Sequence, residues 1–139
     1  MERKILSFFF SLVVAAGAFG GDFQSSDLVG SWTGTDTDGT KVTLQFHKDG
    51  SATWDVDEPN FKRLAPSGLK AKYSIREKSP VWELDIYDFD SAAFKDGVFQ
   101  AILQPVEMGK IRMNGAWSKH GLRPTSFGKG TIVISKTDV

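Results

Sequence analysis

Few residues in this chain stand at the spacings that chemistry demands. His47 and His120 are its two histidines and cysteine is absent; the pair fits no His-x-x-x-His pattern, and zinc needs three or four convergent ligands. No metal is expected. Asp88, Asp90 and Asp96 with Gly97 invite a calcium reading, as does Asp36-Thr37-Asp38-Gly39. An EF-hand loop counted from Asp88 requires glycine where Ala93 stands and a bidentate glutamate where Phe99 stands; counted from Asp36, the same positions hold Lys41 and His47. These carboxylates read as solvated loop residues. No Gly-x-Ser-x-Gly elbow presents a serine, and Gly128 and Gly130 flank Lys129 without the Gly-x-x-x-x-Gly-Lys of a phosphate loop. Tyr73, Glu83 and Asp85 are the acids or bases an enzyme built on this chain would use, and no spacing singles one out. No catalytic residue and no cofactor are assigned.

What the sequence does supply is aromatic side chains of the kind that line or fill an interior. Phe46, Trp54, Tyr73, Trp82, Phe99 and Trp117, with Met113, recur within alternating segments, while Phe61 and Phe94 sit in two polar stretches between them. A cavity walled by the first set, with the two loop phenylalanines at its open end, is the candidate ligand-binding site. The same side chains also serve as packing.

The elements that must position them are short and alternate with period two. Residues 31–37 are rich in Thr and Trp; residues 41–47 set Val42, Leu44 and Phe46 against Lys41, Thr43, Gln45 and His47; residues 51–57 do the same with Ala52, Trp54 and Val56. Asp49-Gly50 is expected to close a hairpin as a type I′ turn. Residues 58–68 hold Pro59, Asn60, Pro66 and Gly68 and read as a loop, neither strand nor helix. Strands follow at 69–76, 82–86, 98–104, 110–117 and 131–136, with a loop at 88–97 and a longer connection at 118–130. Eight short strands leave no room for crossover helices and predict an antiparallel sheet. An open sheet of that size exposes two edges, so the expected fold is all-β, an eight-stranded antiparallel up-and-down barrel; a two-sheet β-sandwich is the alternative.

Residues 1–18 look like a secretory signal peptide: Arg3 and Lys4 precede an uncharged run and small residues, with cleavage after Ala18 or after Gly20. The apolar stretch is short for a membrane span, which needs about 20 residues. Losing Glu2, Arg3 and Lys4 leaves 15 basic against 16 acidic residues from an original 17 of each, a balance that argues against nucleic-acid partners. Residues 19–139 then form one domain, secreted or periplasmic, with a core that no disulfide reinforces.

Leu28-Val29-Gly30-Ser31-Trp32 at the mouth of the first strand resembles the lipocalin entrance motif, and Arg123-Pro124-Thr125-Ser126-Phe127 precedes the last strand. Together they resemble the uncharacterised bacterial lipocalin-like (calycin-type) domains of secreted proteins. The resemblance implies structural roles for Gly30, Trp32, Arg123, Pro124 and Phe127, with Trp32 packed at the closed end beneath Arg123 or Arg112. It implies a fold and no activity. The function expected is a non-enzymatic barrel for a small apolar or amphipathic ligand; a protein-interaction module, such as an inhibitor of a secreted enzyme, is the alternative.

Overall fold

The computed structural model describes residues 23–78, 80–119 and 121–137; the expected signal peptide and His120 lie outside them. Eight strands run in chain order: β1 (Gly30–Thr35), β2 (Lys41–Phe46), β3 (Ser51–Val56), β4 (Leu69–Arg76), β5 (Trp82–Tyr87), β6 (Phe99–Glu107), β7 (Lys110–Trp117) and β8 (Ile132–Lys136). Each pairs antiparallel with its sequence neighbour, and β8 returns to pair with β1, which closes the barrel. Closure leaves no unpaired edge, the liability of an open sheet.

Alternation accounts for the walls. In β2, Val42, Leu44 and Phe46 are buried and Lys41 is exposed; in β5, Trp82, Leu84 and Ile86 are buried. Strand β6 resolves its two apolar faces: Ala101 and Leu103 join the core, while Ile102, 4% exposed, sits outward between Glu83 and Asn114. At the β8–β1 seam Gly34 pairs with Ile134, and a Cβ there would lie 2.8 Å from the Val133 carbonyl. Any side chain at that point would push the closing strands apart.

Three expectations about the connections are corrected. Residues 58–68 hold a short helix, α1 (Pro59–Leu64), because the Glu58 carboxylate accepts from the Asn60 and Phe61 amides, Pro59 opens the first turn, and Lys62 and Arg63 lie in the last. Asp49-Gly50 is not a type I′ turn: Gly50 alone has positive φ (91°), and the Gly50 amide bonds the His47 carbonyl across a four-residue connection. Asp49 braces it by accepting from the Ser51 amide and hydroxyl. Strand β6 continues beyond residue 104 to Glu107, because a register shift between Pro105 and Glu107 absorbs the missing proline donor.

The two ends differ. At the end where the β2–β3, β4–β5 and β6–β7 hairpins turn, a 3-10 helix (Ser25–Leu28) plugs the barrel with the fully buried Leu28. Trp32 Nε1 donates to the Leu28 carbonyl at 2.7 Å, and Phe23 packs on Trp82 with ring centroids 5.0 Å apart. The cation over Trp32 is Lys136, its Nζ 5.7 Å from the ring and 3.1 Å from the Asp27 carbonyl it bonds, and not Arg123 or Arg112. Period two explains the correction: Lys136 pairs with Trp32 on the inner face, whereas Arg112 points outward between the inward Ile111 and Met113.

Arg123, Pro124 and Phe127 belong to a strap on the outer wall. Arg123 donates to the Leu84 and Ala101 carbonyls at 3.1 and 3.0 Å and to Asp85 Oδ1 at 2.5 Å; Arg112 lies 4.1 Å over the Phe127 ring; Asn114 Nδ2 bonds the Ser126 carbonyl. Anchored to β5 on one side and β7 on the other, the strap accounts for the burial of the outward Ile102.

Candidate binding recess at the loop end

The opposite end carries the β1–β2 turn, α1, the 88–98 connection and the 118–131 connection. Two aromatic contacts join the connections on one side: Phe61 faces Phe94 at 6.0 Å, and Phe94 stands edge-on to Trp117 at 5.8 Å. Beneath them Phe89, 3% exposed, touches Trp117 at 5.2 Å and Trp54 at 5.9 Å, and Trp54 meets Phe99 at 4.7 Å. Two glycines make room for this cluster. A Cβ on Gly97 would collide with the Trp117 indole, and one on Gly115 with the Phe99 ring. The 88–98 connection is stitched down: Asp90 exchanges backbone and side-chain hydrogen bonds with Lys70, and Lys72 lies 3.3 Å from Asp88, whose φ of 58° turns the chain out of β5.

Beside this aromatic cap the lumen is unfilled. A recess of about 220 Å³ is lined by Val42, Leu44, Trp54, Val56, Phe99, Met113, Gly115 and Ile132, with Asp36 and Gly130 also on its boundary. The Asp36 Oδ1 accepts from the Asp38 and Thr40 amides, both at 2.9 Å, which fixes the carboxylate within its turn. Trp54 Nε1 is buried without a hydrogen-bond partner, its indole flanked by the Phe89 and Phe99 rings. A broader depression of about 490 Å³ runs along the β8–β1–β2 wall, lined by Thr33, Thr35, Lys41, Val133 and Ser135 with Gly34. It lacks the aromatic and aliphatic walls that hold small apolar molecules.

The aromatic residues singled out from sequence therefore divide. Trp54 and Phe99 line the recess; Phe61, Phe94 and Trp117 form its neighbouring cap; Phe46, Tyr73 and Trp82 lie toward the plugged end, where Phe46 packs edge-on against Tyr73 at 4.9 Å. Sequence reasoning missed Phe89, a lone aromatic between aspartates, and Asp36, whose reading as a solvated loop carboxylate hid its place at the recess. The aliphatic lining was legible as the inward face of β2 and β3.

The titratable groups considered for acid–base work have other partners. Tyr73 donates to the His47 carbonyl, and burial, aided by Asp49, raises its pKa. Glu83 bonds Arg76, which together with Lys78 holds its pKa below the ordinary range, and Asp85 bonds Arg123 on the outer wall. Among the described residues, no group of three or more His, Cys, Asp or Glu side chains converges as a metal site, and no helix is long and apolar enough to cross a membrane.

Fold and recess together define a small closed antiparallel β-barrel with one plugged end and one partly open end. Among solved structures the chain is similar to the crystal structure of Treponema pallidum Tp0751 (pallilysin), with a TM-score of 0.54 and 13% identity, covering 84% of this chain and 83% of that one. At that identity the likeness concerns the fold alone. No family model and no curated protein matches the sequence.

Proposed function

We propose that this chain is a secreted or periplasmic, non-enzymatic barrel of lipocalin-like type that binds a small apolar or amphipathic molecule in the loop-end recess. The observation that carries the reading is the unfilled apolar space of about 220 Å³ beside an otherwise packed aromatic cap. Interiors normally pack to the density of organic crystals, so open space with aliphatic and aromatic walls is the exception that a ligand site requires. Its size bounds the occupant. Drug-sized pockets run from about 300 to 1,000 Å³, and an engineered apolar cavity of about 150 Å³ admits benzene, so this recess suits a ligand of roughly ten non-hydrogen atoms. Secretion rests on the signal-like layout of residues 1–18, and the lipocalin-like reading on Gly30 and Trp32 at the plugged end.

Native mass spectrometry of the protein secreted by its own host tests the reading. A reproducible extra mass that organic extraction removes is expected. An unliganded mass, together with no calorimetric binding of octan-1-ol, would replace it with the interaction-module reading, in which the interior is only a core.

A further inference from the structure

We propose that the recess selects amphipathic molecules whose polar end is a cation, an alkyl- or arylalkylammonium, with its charge at Asp36 and its apolar body against Trp54 and Phe99. This rests on the binding reading above and narrows it. Asp36 is the single ionisable side chain on the recess boundary; every other lining residue is aliphatic, aromatic, thioether or glycine. Among the described residues no cation pairs with its carboxylate, whereas Asp55, Glu83, Asp85, Asp88 and Glu107 all have one. The charge is thus available to an incoming group. Lys41, Arg112 and Lys129 each stand next in sequence to a lining residue, Val42, Met113 and Gly130, but none of the three lines the recess.

The test compares three probes of nearly equal apolar body, octylamine, octan-1-ol and octanoate, by isothermal titration calorimetry on the purified protein at neutral pH, where the amine is protonated. One partly exposed ion pair contributes up to about fivefold in affinity. Octylamine is therefore expected to bind about fivefold more tightly than octan-1-ol and about tenfold more tightly than octanoate. In Asp36→Asn, whose amide oxygen can accept the same two backbone N–H groups, the amine-to-alcohol ratio is expected to fall to about one. Raised salt should compress the same ratio in the unaltered protein, a readout that does not depend on the variant folding. Equal affinity for all three probes, or octanoate binding most tightly, would overturn the cation preference and leave the binding reading in place. No binding of any probe would overturn both.

Discussion

Trp32 makes two contacts that no smaller side chain reproduces, a hydrogen bond to the Leu28 carbonyl and an indole face beneath Lys136. At 1% exposure it is part of the barrel's plugged end. Trp32→Ala should cost about 3–5 kcal/mol, the range for large-to-small changes of buried tryptophan, measured by urea denaturation. An unchanged midpoint would remove Trp32 from the core. Gly115 is the complementary case, a residue whose importance lies in having no side chain. Gly115→Ala displaces the Phe99 ring from its seat and should cost about 1–3 kcal/mol, as overpacking does. Wild-type stability in that variant would mean the ring has somewhere else to go. The role of Lys136 was present in the sequence as the next inward position after Ile132 and Ile134, but a lysine at an inward site reads as an end residue until its partner Trp32 is known.

Among the elements, β2, β4 and β5 were readable because one wet face and one dry face impose strict alternation, whereas α1 was not. Two prolines, an asparagine and a glycine within residues 58–68 are the usual marks of a loop. The helix exists because Glu58 satisfies two of its orphaned amides and Phe61 gains an apolar partner in Phe94 across the loop end, a contact invisible along the chain. Those amide bonds lower the Glu58 pKa, with Arg63 adding a smaller effect. A carboxyl whose folded pKa lies below its unfolded value stabilises the helix above the unfolded pKa, and the contribution disappears as pH falls through the folded one. NMR titration of the Asn60 and Phe61 amides should therefore show a shared midpoint below the ordinary glutamate range. A midpoint at or above that range would dissolve the capping assignment. The strap makes a parallel case: Arg123, 17% exposed at its side chain, reaches two carbonyls and Asp85. Arg123→Met should cost about 1.5–3 kcal/mol, the value of a hydrogen bond to a charged group, with a non-additive double-mutant cycle against Asp85→Asn. Full additivity in that cycle would show that the pair does not interact.

For the molecule as a whole, the strand order in space is the strand order in sequence, joined end to end by the β8–β1 pairing. Eight strands with two threatened edges made closure legible in advance; how far the interior is filled was not, because that depends on rotamers such as Phe99 lying over Gly115. An order of this kind is circular, so no strand pairing depends on where the chain is cut. The Lys136 ammonium bonds the Asp27 carbonyl, the Thr137 amide and hydroxyl bond the Ser31 carbonyl, and Phe23 packs on Trp82, so both described ends of the chain lie at the plugged end of the barrel. A circular permutant that joins Thr137 to Phe23 through a short glycine-serine linker and opens at Met108-Gly109 should therefore keep every pairing except the β6–β7 turn. Met108 is 83% exposed and Gly109 has positive φ with open space around it, so the cut removes no core contact. Near-UV circular dichroism like that of the parent is expected, with a melting temperature lower by no more than a few degrees, since closing a loop of a different length changes the entropy only slowly. Deleting β8 is the opposing control, because it strips Ile134 and Lys136 from the interior and exposes the edges of both β7 and β1. Retained near-UV signal after that deletion, or its loss in the permutant, would contradict a barrel whose stability is distributed around a closed ring.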